Sequence, residues 1–104
     1  MGALGIYHPE PRYFSGGPLI AGIVITYRPE TSILRKTVQS LIDQVDHLFI
    51  VDNGSSVKAG EFVSDHERLT LIQLEDNYGI AKAQNRGIAE ARKVGADYVV
   101  LSDQ

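Results

Sequence analysis

The sequence predicts an α/β domain, a mostly parallel sheet with helices on both faces. Three observations carry this. Short, β-branched apolar runs alternate with segments of helical period along the chain. The connections between the runs are too long for hairpins, so successive strands require crossovers and lie parallel. Hydrophobic residues at 43% and charged residues at 22% give the balance of a soluble globular chain, and 104 residues suffice for one small domain.

Residues 1–18 carry Gly2, Gly5, Gly16, Gly17 and three prolines, with little helix or strand periodicity. They are read as a flexible N-terminal arm whose Tyr7, Tyr13 and Phe14 offer rings for docking on the body or on a neighbouring chain. The domain itself is expected over residues 19–104.

Ile20 to Thr26 is continuously apolar up to its last residue, as a central parallel strand covered on both faces would be. Pro29 then suits a first helical turn, and Leu34, Val38, Leu41 and Val45 recur at spacings of four, three and four. His47 to Val51 forms a second buried strand, ended by the polar run Asp52-Asn53-Gly54-Ser55-Ser56. Val57 to Arg68 is a weaker helical segment with Phe62 and Val63 as its apolar side, and Leu69 to Leu74 is the third strand. After Asn77-Tyr78-Gly79 a helix is expected from Ile80 to Val94, with Ile80, Ile88 and Ala91 inward and Gly95 as its left-handed terminator. Arg92 and Lys93 suit the negative end of that helix. Tyr98 to Ser102 is the fourth strand.

Charge and composition exclude several classes. A formal charge of −3 leaves no basic surplus to neutralise a nucleic-acid backbone. With no cysteine there is no disulfide framework and no thiolate zinc site, in keeping with a reducing, cytoplasmic setting. The longest apolar stretch, Leu19 to Ile25, is far short of the roughly 20 residues of a membrane helix, and the first residues lack the pattern of a secretory signal. Neither Gly-x-Gly-x-x-Gly nor a Walker-type glycine loop occurs, which disfavours dehydrogenases and P-loop enzymes. A receiver-type phosphoacceptor would want acidic residues where Thr26 and Tyr27 stand.

In open α/β sheets ligands gather at the carboxyl ends of strands. Three such places are polar here: Thr26-Tyr27-Arg28, Asp52-Asn53-Gly54-Ser55 and Asp103-Gln104. An aromatic ring, hydrogen-bonding side chains and a terminal carboxylate suit a nucleoside diphosphate sugar. A diphosphate beside Asp103 requires a divalent cation between them, Mg2+ or Mn2+, which would also stabilise the departing diphosphate.

The segments Val24-Ile-Thr-Tyr-Arg-Pro29, Phe49-Ile-Val-Asp-Asn-Gly-Ser55, Asn77-Tyr-Gly-Ile-Ala-Lys-Ala-Gln-Asn-Arg-Gly87 and Gly95-Ala-Asp-Tyr-Val-Val-Leu-Ser-Asp-Gln104 resemble the front half of family 2 glycosyltransferases. The likeness is strongest to bacterial rhamnosyltransferases of polysaccharide assembly and covers residues 21–104. It implies the Rossmann-like N-terminal half of a GT-A fold. By the same resemblance Thr26 and Tyr27 line the nucleotide, with Tyr27 near the base face, and Asp52 or Asn53 hydrogen-bonds the base or ribose. Asn77, Gly79, Lys82 and Asn85 border the nucleotide sugar, and Asp103 opens an Asp-x-Asp metal motif whose second aspartate would follow Gln104. Arg28 stands where the family usually has asparagine. The resemblance further implies inverting transfer of a deoxysugar, from dTDP-L-rhamnose or another dTDP- or UDP-sugar, to a glycan or lipid-linked acceptor at the inner face of the membrane. The acceptor-binding part and the general base are expected beyond Gln104, so these 104 residues are expected to bind nucleotide without turnover.

Each sharp reading has a plainer one beside it. Asn53-Gly54 suits a tight turn, and Asn53-Gly54-Ser55 matches a glycosylation sequon. Asn77 suits a helix cap, and Lys82 a solvated charge. His8, His47 and His66 have no metal-ligand spacing. The competing class is a noncatalytic α/β module that self-associates through exposed sheet edges.

Overall fold

The computed structural model describes residues 4–7, 18–55 and 67–103, with residues 4–7, 31 and 103 described by their backbone. In chain order the described elements are β1 (Leu4–Tyr7), β2 (Ile20–Thr26), α1 (Thr31–Ile42), β3 (His47–Asp52), β4 (Leu69–Gln73), α2 (Ile80–Lys93) and β5 (Tyr98–Asp103). They build one sheet in the order β1-β5-β2-β3-β4. The four strands β5, β2, β3 and β4 run parallel, as the crossover lengths require.

Both faces of the sheet are covered, which explains why β2 and β3 are apolar without alternation. Ala21, Ile23 and Ile25 face one way and pack with Phe49, Val51, Ile72 and Val99 under Ala83 and Ala91 of α2. Val24, Leu48 and Ile50 face the other way and pack with Leu34 and Leu41 of α1. Each fully buried aliphatic side chain of this kind contributes about 1.5–3 kcal/mol relative to exposure. Small residues let α2 approach closely: a Cβ at Gly87 would stand 2.6 Å from Cγ2 of Ile23.

Some local expectations are corrected. Pro29 precedes α1 and its cap, Glu30, whose extended ψ of 126° keeps the chain outside the helix until Thr31. The first helical bond therefore runs from Leu34 N–H to the Glu30 carbonyl. Val45 lies past the end of α1, yet its side chain stays in the same cluster. Ile80, expected inward, is 48% exposed. It opens α2 at the carboxyl rim of the sheet, and the buried stripe begins only at Ala83 and continues through Gly87 and Ala91. Gly95 ends α2 with φ 81°, as expected.

The largest correction concerns the arm. Leu4–Tyr7 forms an antiparallel edge strand on β5, in register from Leu4 with Ser102 to Tyr7 with Val99. A four-residue edge strand satisfies backbone groups that β5 would otherwise present unpaired, and such pairing demands no periodic side-chain pattern. The remainder of the arm lies outside the described residues, apart from Pro18. So does the helical candidate over residues 57–66; its last two residues, Glu67 and Arg68, form a turn.

Two carboxylates fix the amino end of β2. Asp97 Oδ2 accepts from Leu19 N at 2.8 Å and Asp46 Oδ2 accepts from Ile20 N at 2.6 Å. Both aspartates also donate their own N–H to the carbonyls of the residues they hold.

Candidate functional site

The strand order makes β2 the branch point of the sheet. From β2 the chain moves outward through β3 to β4, then returns over α2 to β5 on the other side. At such a switch the loops after neighbouring strands diverge and leave a crevice at the carboxyl rim. Thr26-Tyr27-Arg28, Asp52-Asn53-Gly54-Ser55 and the backbone of Asp103 stand on this rim.

Thr26, Asp52 and Gln73 occupy one register row across β2, β3 and β4. Asp52 is fully buried and accepts four hydrogen bonds. Thr26 Oγ1 and Ser55 Oγ donate to Oδ1 at 2.8 and 2.7 Å, while Ser55 N and Gln73 Nε2 donate to Oδ2 at 3.0 and 2.5 Å. A buried carboxylate is tolerable when its lone pairs are filled in this way. Gln73 Oε1, by contrast, is buried and has no hydrogen-bond partner among the described residues.

Asn53 ties the β3 end to the loop that starts α2. Its Oδ1 accepts from Tyr78 N at 3.0 Å, and its Nδ2 donates to Asn77 Oδ1, also at 3.0 Å. Asn77 Oδ1 accepts in addition from Gly79 N at 2.9 Å. Asn77 thus braces the approach to α2, whose cap is Gly79 at φ 88°. Gly54 makes this junction sterically possible. Its φ is 83°, and a Cβ there would lie 2.3 Å from the Asp76 carbonyl carbon.

Two aromatic rings stand open on the rim, Tyr27 at 41% and Tyr78 at 48% exposure. Arg28 lies over the Tyr27 ring at 5.2 Å, and Lys82 over the Tyr78 ring at 5.8 Å. Arg28 is the non-glycine residue with positive φ among the described residues, at 47°. That conformation costs about 1–2 kcal/mol for a residue with a Cβ. It is held by a hydrogen bond from Arg28 N to Ser55 Oγ at 2.6 Å, so the chain of contacts leads back to Asp52. Asn85 is exposed on α2, one turn beyond Lys82.

Asp103 ends β5 in register with Ile25, the residue before Thr26. Its backbone therefore stands beside the carboxyl end of β2, while its side chain lies outside the described residues. Among the described residues no three His, Cys, Asp or Glu side chains gather to hold a metal ion by themselves.

Burial lowers the pKa of His47, at the amino end of β3, where Nε2 lies 2.7 Å from Thr70 Oγ1. Glu90, exposed on α2, is lowered first by its hydrogen bond from Lys93.

The structure thus joins Thr26, Asp52, Asn53, Asn77 and Gly79 in one hydrogen-bonded network and sets Tyr27, Arg28 and Lys82 at its mouth. Asn85 is exposed on α2, and the Asp103 backbone pairs with β2 beside Thr26. Ser55 and Gln73 had not been assigned roles from sequence. Gln73 carried a signal all the same: on the face of β4 set by Leu69 and Leu71, it is a polar residue in the next alternating position, at the carboxyl end.

Residues 22–104 match the family described as Glycosyl transferase family 2. Over 85 residues the chain is 35% identical to the dTDP-rhamnosyl transferase RfbF of Shigella flexneri, a match covering 82% of this chain. The same match covers 29% of that protein, so the chain spans less than a third of the curated relative's length.

Proposed function

Since the chain belongs to glycosyl transferase family 2, we propose that its carboxyl rim binds the nucleotide portion of a sugar donor for glycosyl transfer. The observation that carries this reading is the hydrogen-bonded row Thr26–Asp52–Gln73, with Thr26 and Asp52 fully buried, clamped through Asn53 to the α2 loop, at the branch point of a parallel sheet. This arrangement spends burial and hydrogen bonds on holding a polar rim rigid, as a recognition site requires.

In this reading Tyr27 faces the base. Asp52 sets the geometry of the β2 and β3 ends, and a base or ribose contact at its carboxylate replaces one of the four N–H or O–H groups now bound there. Asn77, Gly79, Lys82 and Asn85 border the ribose, diphosphate or sugar. Asp103 would offer a carboxylate to Mg2+ or Mn2+ shared with the diphosphate, and such a cation supplies charge stabilisation to the leaving group when bound. The sugar donor is dTDP-L-rhamnose, supported by the name of the relative, a dTDP-rhamnosyl transferase. Transfer proceeds with inversion to a polysaccharide or lipid-linked acceptor at the cytoplasmic face of the membrane. In this reading the rim formed within these 104 residues holds the nucleotide portion of the sugar donor.

Titration calorimetry with dTDP and UDP, each with and without Mn2+, tests the reading. Saturable binding of dTDP, tighter with Mn2+, is expected. A folded sample that binds neither nucleotide would favour the competing reading, a self-associating module. One observation supports that alternative: β4 has a single strand neighbour among the described residues, which leaves an edge open to a second copy.

A further inference from the structure

Tyr27 and Arg28 are adjacent in sequence, and in an extended strand their side chains would point to opposite faces. Here the left-handed backbone of Arg28 reverses the chain, so that the guanidinium returns over its neighbour's ring at 5.2 Å. The reversal is anchored rather than incidental. Ser55 Oγ accepts the Arg28 N–H at 2.6 Å, and the same hydroxyl donates to the buried Asp52 at 2.7 Å. No carboxylate pairs with Arg28 among the described residues, whereas Arg68, Arg86 and Lys93 each meet one. Its observed partner is the aromatic face.

We propose that Arg28 is a positioning residue that backs the Tyr27 ring. The guanidinium covers one face of the ring and fixes its plane, which leaves the opposite face presented to a planar heterocyclic base. The inference rests on the reading that this rim binds a nucleotide. Guanidinium, tyrosine ring and base then form three layers. An exposed ring held in one orientation loses less freedom when a base stacks on it, and the electron-rich ring face attracts the cation behind it. Because the role is to orient an aromatic surface, it acts on the base and not on the phosphates.

The test compares thymidine, dTMP and dTDP binding to the full chain and to two variants. Arg28→Asn keeps a residue that tolerates the left-handed conformation and removes the guanidinium. Arg28→Lys keeps a cation. The expected result is that Arg28→Asn weakens all three ligands by the same factor, about two- to five-fold, and that Arg28→Lys restores most of the loss. A loss that grows with the number of phosphates would make Arg28 a phosphate contact and overturn the proposal, as would unchanged affinities in Arg28→Asn. A readout without ligand separates this inference from the function it rests on. In NMR spectra of the free chain, the Arg28 methylene protons should be shifted by the Tyr27 ring and return to ordinary positions in Tyr27→Leu. Unshifted Arg28 protons in a chain that binds dTDP would sink the backing role alone; shifted protons in a chain that binds no nucleotide would sink the binding site and with it the role.

Discussion

Gln73 and Asp52 face each other across parallel strands, with the Gln73 amide donating to the Asp52 carboxylate at 2.5 Å. The contact joins the outermost described parallel strand to the interior of the rim network. Because Asp52 is fully buried, each group that donates to it stabilises the chain as well as shaping the site.

Replacing Gln73 by Met keeps the volume and removes the amide. Hydrogen bonds to charged groups contribute about 1.5–3 kcal/mol, so Gln73→Met should lose about that much stability. Urea unfolding should show a lower midpoint with an unchanged slope. A midpoint equal to that of the parent chain would contradict the role assigned to the contact.

Asn53 holds the loop before α2 through two bonds, to Tyr78 N and Asn77 Oδ1. Asn53→Ala removes both and should cost about 1–3 kcal/mol. The local effect is more telling. Amide exchange of Tyr78 and Gly79 should accelerate, while exchange in the centre of β2 changes only as far as global stability does.

Gly87 sits where α2 meets β2 most closely, with space for no Cβ beside Ile23. Gly87→Ala should raise helix propensity by up to about 1 kcal/mol, yet overpacking costs about 1–3 kcal/mol. A net loss is therefore expected. Adding Ile23→Val, which removes the Cδ1 that a new Cβ would meet at 3.1 Å, should recover part of it, and a double-mutant cycle on thermal midpoints measures the coupling. Strict additivity would show that Cδ1 of Ile23 takes no part in the crowding.

His47 gives the fold a pH dependence whose sign is fixed by burial. Its folded pKa lies below the ordinary imidazole value of 6.5, because burial penalises the charged ring. Between those two values the unfolded chain holds more protons than the folded one, so stability falls as pH drops below about 6.5 and levels off once the folded-state pKa is passed. His47→Gln should flatten this slope in chemical denaturation measured from pH 7.5 to 5.

Much of the fold was legible because parallel strands buried on both faces write themselves as apolar runs. Ile20 to Thr26 and His47 to Val51 were placed to within a residue for that reason. β1 was not legible: its pairing uses the backbone, and Leu-Gly-Ile-Tyr among glycines and prolines offers no periodic pattern. Ile80 misled for a related reason, since helical period identifies an apolar stripe but not where the sheet beneath it ends. Within the site, residue type at strand ends pointed to Thr26, Asp52 and Asn53. The partnership of Arg28 with Tyr27 needed the positive φ, which residue type alone does not announce for arginine.

The placement of β5 between β1 and β2 has a consequence for biosynthesis. Strand β2 gains one neighbour, β3, soon after it is made, but its other neighbour comes much later. The contact that closes that side, Leu19 N to Asp97, spans 78 residues. At ordinary translation speeds the interval is roughly 4–16 s. Throughout it, the most apolar strand of the domain has one hydrogen-bonding edge open in the crowded surroundings of the ribosome. The nascent chain is thus most vulnerable to mispairing before its last described strand emerges, and a chaperone that shields β2 during that interval would be expected to raise the yield of folded protein.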